Sequence, residues 1–183
     1  MIETQTATAA KWVLDASHSE ITFKVKHMMV SNVTGGFDEF SVDADINQDD
    51  FTKSKVAFTT KLTSVNTGAE DRDNHLRSAD FFDVENHPEM TFTSNSIEKV
   101  DNENYTMNGN LVIKGIEKPV SLNVEVGGFG KDPWGNKKAG FTVSGKINRK
   151  DWDLTWNAAL EAGGVLVGDE IKINCEIQLM EQA

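Results

Sequence analysis

The sequence predicts an all-β protein: an eight-stranded antiparallel up-and-down barrel with one short helix between its third and fourth strands. Three observations predict it. Apolar and polar residues alternate with a period of two through eight separate segments, the pattern of strands with one wet face. Most of these segments are joined by short turns such as Lys114-Gly115 and Pro133-Trp134-Gly135, which favours an up-and-down path. Glycine pairs at Gly35-Gly36, Gly127-Gly128 and Gly163-Gly164 suit the bulges and kinks that closing such a sheet requires. Closure also removes the exposed edges of an open sheet.

The segments follow in order. Ile21, Phe23, Val25, His27 and Met29 alternate with Thr22, Lys24, Lys26 and Met28 to give the first strand. A less regular second strand covers 37–46. Val56, Phe58, Thr60 and Leu62 form the third. Thr67-Gly68-Ala69-Glu70 then fits a capping box, with the Thr67 hydroxyl and the Glu70 carboxylate satisfying free amides at the start of a helix over about 69–79. That stretch is polar except for Ala69, Leu76 and Ala79, so packing must hold it. Met90 and Phe92 mark the fourth strand, and Tyr105, Met107, Leu111 and Ile113 share a face of the fifth across Gly109. Val120 to Val126 and Phe141 to Ile147 alternate in the sixth and seventh. Ile171, Ile173, Cys175, Ile177 and Leu179 give the eighth, the clearest of all. A further short strand fits 12–15. The chain divides into a flexible N-terminus, 1–11, and a single domain, 12–183.

Charge narrows the function. The 29 Asp and Glu against 18 Lys and Arg leave a net charge of -11, which argues against nucleic-acid binding and electrostatic docking on anionic lipid. No run approaches the roughly 20 apolar residues of a transmembrane helix. Residues 1–7 lack the basic and apolar regions of a signal peptide, so the chain as written reads as cytoplasmic, or periplasmic if a leader has been removed. Cys175, the one cysteine, sits on an apolar strand face and reads as a small buried hydrophobe.

Signatures of catalysis are scarce. There is no G-x-S-x-G elbow, no phosphate-cradling glycine loop and no Cys-x-x-Cys. The four histidines, His18, His27, His75 and His87, form no His-x-His or His-x3-His pair, so neither a metal nor a cofactor is expected. His27 stands apart because its strand phase points inward. It is either a core histidine bonded to a backbone carbonyl or a polar group inside a cavity. The helical segment holds Glu70, Asp71, Arg72, Asp73, His75 and Arg77, which read as a solvated face, as acid–base groups, or, for Arg72 and Arg77, as partners of an anionic headgroup. Trp152, Leu154 and Trp156 alternate on one side of an extended segment, as core or as lumen. Periodicity does not separate these two, because a filled and a hollow barrel share one pattern.

Several motifs resemble the YceI-like family. They are 18–28 (HSEITFKVKHM), 72–83 (RDNHLRSADFFD), 87–92 (HPEMTF) and 109–115 (GNLVIKG), joined by Lys118-Pro119-Val120, Asp132-Pro133-Trp134-Gly135 and Ala139-Gly140-Phe141. They occur in the family's order over nearly the whole chain, from about Trp12 to Met180. The resemblance implies an extended lipocalin-like barrel whose interior holds a long isoprenoid or similar amphiphile: a polyprenyl phosphate, an isoprenoid quinone or a fatty amide. It implies no established reaction. Inward-facing positions within these motifs make Phe23, Val25, His27, Phe37, Phe58, Arg72, His75, Leu76, Phe82, Phe92, Leu111, Ile113, Trp134, Phe141, Trp152 and Trp156 the expected ligand contacts. The reading is a non-enzymatic carrier or sensor of a long-chain lipid, with the oligomeric state open to a homodimer. Its rivals are a lipid-modifying enzyme using His27 or the Asp71/His75 pair, and a stress-response module with no obligate ligand.

Overall fold

The computed structural model describes residues 10–161 and 163–182. Its elements are β1 (Ala10–Leu14), β2 (Glu20–His27), β3 (Ser31–Phe37), β4 (Phe40–Ile46), β5 (Lys55–Lys61), β6 (Val65–Asn66), α1 (Glu70–Arg77), β7 (Glu89–Lys99), β8 (Asn104–Ile113), β9 (Ile116–Lys131), β10 (Lys137–Asn148) and β11 (Val167–Glu181). Three pairs of strands continue one another across a bend. β1 leads into β2 past the 3-10 turn Ala16–His18, β3 into β4 past Asp38-Glu39, and β5 into β6 past Leu62–Ser64. The result is eight long antiparallel barrel strands, with α1 between the third and the fourth.

Closure falls to β11. One edge pairs with β10 from Asn148↔Glu170 to Lys138↔Met180, while the other pairs first with β2 and then with β1. A small residue opposite a large one lets the wall bend around its contents. Gly35 lies opposite Phe23 in the β2–β3 ladder, and a Cβ there would sit 2.6 Å from the Phe23 ring. At the Gly127-Gly128 pair, Gly140 faces Gly128 but Phe141 faces Val126. Gly127 is therefore the extra residue of a bulge, with Gly128 at φ 138°.

The structure departs from the sequence-based expectation in four places. The alternation of the first strand ends at His27, because Met28 and Met29 turn the chain at φ 53° and 60°. The second barrel strand begins at Ser31, six residues before the expected 37, since Ser31-Asn32 and Gly35-Gly36 carry too little apolar signal. Of the expected flexible segment, 1–9 lies outside the described residues, whereas Ala10 and Lys11 already pair with β4. The capping box does not form. Gly68, at φ 81°, turns the chain so that Ala69 is the N-cap and Thr67 lies two residues too early. Thr67 instead donates its amide to the buried Asp73 carboxylate at 2.9 Å and its hydroxyl to the same oxygen.

The two ends of the barrel differ. The β4–β5, β7–β8 and β9–β10 connections gather at one end, and aromatic rings close it. Phe51, buried in the β4–β5 connection, packs between Tyr105 and Phe141 at 4.8 and 5.6 Å, while Trp12 meets Phe129 edge-on at 5.8 Å. The opposite end carries the β2–β3 turn, α1, the β8–β9 turn and the long 149–166 connection.

A polar knot ties β1 to the sheet. The Asp15 carboxylate accepts from Lys138 Nζ at 2.8 Å, Ser17 Oγ at 2.8 Å and His18 Nδ1 at 2.9 Å. These bonds, led by Lys138, hold its pKa well below the ordinary 3.8. A depressed carboxylate pKa contributes stability that is present above the unfolded value and is lost as pH falls toward the folded one. Asp15→Asn is therefore expected to destabilise the protein by about 1 kcal/mol or more at pH 7. In denaturant melts the difference should shrink steadily as pH drops below about 4.

Candidate functional site

The wall does not fill its interior. A cavity of about 550 Å³ runs along the barrel axis from Ile46, Phe51 and Leu179 at the closed end to Val33 and Leu166 at the other. Its wall is apolar because every barrel strand turns its apolar phase inward. Phe23 and Val25 come from β2, Phe37 from β3, Phe58 from β5, Phe92 from β7, Leu111 and Ile113 from β8, and Phe141 from β10. Phe82, in the segment after α1, meets Phe37 at 6.0 Å on the same wall.

Polar side chains reach the cavity mainly at its open end, from α1 and the end of β2. Arg72, His75 and Leu76 project from α1, and His27 from the last position of β2. Arg72 is braced by two bonds to Thr67, Nε to the hydroxyl at 2.7 Å and Nη2 to the carbonyl at 2.8 Å. The His75 ring stands nearly perpendicular to Trp156 at 4.6 Å and to Phe81 at 5.0 Å, and its Nε2 meets Asp80 Oδ2 at 2.9 Å. The carboxylate partner of His75 is thus Asp80, not Asp71. Arg77 has a different task from Arg72. It donates to the Thr63 and Val65 carbonyls at 2.9 and 3.1 Å, which fastens α1 to β6 and turns the guanidinium away from the cavity.

Two expected contacts lie elsewhere. Trp134 is 84% exposed, because the Pro133-Trp134-Gly135 turn reverses the chain at the closed end and turns the indole into water. Trp152 is buried but stands outside the cavity, its indole Nε1 donating to the Leu111 carbonyl at 2.9 Å. The expected alternation of 152, 154 and 156 breaks at a 3-10 turn, Arg149–Trp152, followed by Asp153 at φ 59°. Leu154 and Trp156 then face the cavity while Trp152 anchors the turn.

Arg149 is the residue that a period of two does not reveal. It is 2% exposed, lines the cavity and donates to the carbonyls of Gly168, Leu154, Trp156 and Val167. Burial pushes its pKa below the ordinary arginine value, an effect opposed by Asp169, 3.7 Å away. Those four bonds strap the 149–166 connection across the barrel end. A lone arginine just past an alternating strand is its only signal in the sequence. Cys175 also lines the cavity, and burial, with Glu176 beside it, pushes its thiol up to about 12. Among the described residues no three His, Cys, Asp or Glu side chains converge as a metal ion would require.

The YceI-like domain, as a family, matches residues 12–179. The chain belongs to the YceI-like family. A UPF0312 protein of Staphylococcus epidermidis is 43% identical over 169 residues, spanning 92% of this chain and 96% of the relative. The crystal structure of a Campylobacter jejuni YceI protein is 38% identical, covers 93% of this chain and 97% of that one, and superposes with a TM-score of 0.74. A domain from Saccharophagus degradans described as polyisoprenoid-binding is 17% identical, with a TM-score of 0.65 over 95% of this chain and 99% of that one. At that identity the YceI-like barrel is the shared property.

Two outcomes follow for Arg149 and Cys175. Arg149→Lys keeps the charge but loses the planar fork, and should cost about 2 kcal/mol or more in denaturant melts. Amides of 154–168 should exchange faster with deuterium. Cys175, moved from 9.0 to about 12, holds about a thousandfold less thiolate at pH 8 than an ordinary thiol. Iodoacetamide should therefore label it far more slowly in the native protein than in urea, as mass spectrometry would read.

Proposed function

We propose that this YceI-like protein binds a long-chain amphiphile of the polyisoprenoid, isoprenoid-quinone or fatty-amide kind and sequesters or carries it without transforming it. The apolar chain occupies the barrel, and the polar end lies at the open end beside Arg72, His75 and His27. One observation carries this reading: an apolar cavity of about 550 Å³, plugged by aromatic rings at one end and polar chiefly at the other. That volume falls within the usual range of small-molecule sites, roughly 300–1,000 Å³.

Affinity then comes from chain burial. Each methylene moved from water into such a wall contributes about 0.8 kcal/mol, so a long chain needs few polar contacts. Discrimination between chain lengths should be correspondingly loose. Native mass spectrometry of protein purified without detergent, followed by lipid extraction, is expected to give a stoichiometric long-chain species. A barrel that is empty and takes up no such lipid would overturn the proposal, and conversion of the bound species would make the protein an enzyme.

A cavity-filling substitution separates guest space from packed core. Val25 lines the cavity between its ladder partners Val33 and Ile171, which lie beside it on the same wall. Val25→Trp is expected to block lipid uptake while leaving the lipid-free melting temperature nearly unchanged. In a solid core the same change would overpack and cost about 1–3 kcal/mol. Melting and binding measured on the one variant decide between the two.

A further inference from the structure

The turn that ends β2 is built against local preference. Met28 and Met29 both sit in the left-handed backbone region, where glycine and asparagine are the ordinary occupants. Both are exposed, as is the next residue: Met28 is 48% exposed, Met29 58% and Val30 83%. Beside them stands Val165, 40% exposed, in the 149–166 connection. The two segments form one surface. The Met28 amide donates to the Leu166 carbonyl at 2.7 Å, and the Met29 sulfur lies over Gly164, where a Cβ would collide with it. Neither 28–30 nor 163–166 contains a charged residue.

This apolar tip flanks the open end of the cavity. His27 and Leu166, its immediate neighbours on the two segments, both line the cavity wall. We propose that the tip formed by Met28, Met29, Val30 and Val165 docks the barrel on a neutral, zwitterionic lipid surface. There the open end can exchange its guest without exposing the chain to water. The inference rests on the lipid-binding reading of the cavity for its choice of partner. Charge makes the choice narrower, since an uncharged tip on a chain of net charge -11 suits a zwitterionic surface and is repelled by an anionic one. Shape agrees, because a tip of four side chains, three from the β2–β3 turn and Val165 beside it, offers too little area for a stable protein interface and enough to enter a headgroup layer. Methionine suits this task, being apolar and adaptable in shape.

Co-flotation with phosphatidylcholine vesicles tests the proposal, using wild type, the double variant Met29→Ser/Val30→Ser, and Trp134→Ser as a control for an exposed aromatic at the closed end. Wild type and Trp134→Ser should float. The double variant should lose at least tenfold in vesicle-bound fraction, with an unchanged melting temperature. Its uptake of farnesol from vesicle-free solution, read by tryptophan fluorescence, should match wild type. A wild type that does not float, a double variant that floats as well, or an equal loss in Trp134→Ser would overturn docking. So would tighter binding to phosphatidylglycerol vesicles, or a dimer that the double substitution dissociates, which would give the patch to a second copy of this chain. A wild type that floats but takes up no farnesol would support docking while overturning the cavity reading.

Discussion

The whole architecture depends on the ladder that the last strand makes with the first. β11 bonds β10 on one edge and divides the other between β2 and β1, so the last described strand closes the wall onto the first. Until it does, the sheet has two open edges and its apolar face meets water. Once it does, backbone amides and carbonyls of the wall are satisfied around the ring, and the inward face becomes an interior. The circumference set by eight strands then fixes the width of that interior. The side chains of this YceI-like protein occupy its rim and leave the axis open.

An open axis puts the burden on the two ends, and each meets it differently. At the closed end rings do the work: Phe51 from the β4–β5 connection packs on Tyr105 and Phe141, and Trp12 joins them through Phe129. At the other end two connections, the stretch that carries α1 and the 149–166 segment, are long and irregular, so their carbonyls need partners that no neighbouring strand supplies. Arg149 supplies them for the 154–168 segment, and Arg77 does the same where α1 meets β6. Asp73 and Arg72 converge on Thr67 to fix the start of the helix. The open end is thus held by hydrogen bonds to backbone, which leave the cavity open beside them.

Much of this barrel is legible in the order of its residues. Alternation of two is a direct print of a strand with one buried face, so the strand set and the inward positions follow from it. The last strand shows this best: Ile171, Ile173, Cys175, Ile177 and Leu179 all line the cavity in the phase the sequence displays. Antiparallel order follows from short turns, and the place of the helix from the one stretch without alternation. The YceI-like motifs, spaced along nearly the whole chain, point to the same barrel.

What only the tertiary structure decided was the difference between space and substance. Phe92 and Trp152 look alike in sequence as buried aromatics, yet one faces the cavity and the other anchors a turn through Leu111. Hydropathy records which side of a strand avoids water, and water is avoided equally in a packed core and in an apolar cavity. Trp134 escapes the pattern for a related reason, since a tryptophan in a turn carries no phase and its exposure depends on what lies across from it. Arg149 is invisible to it because its partners are backbone carbonyls, which every residue carries and no sequence distinguishes. Local periodicity determined the wall, whereas the cavity, its plug and its strapped mouth arise from contacts between segments far apart in the chain.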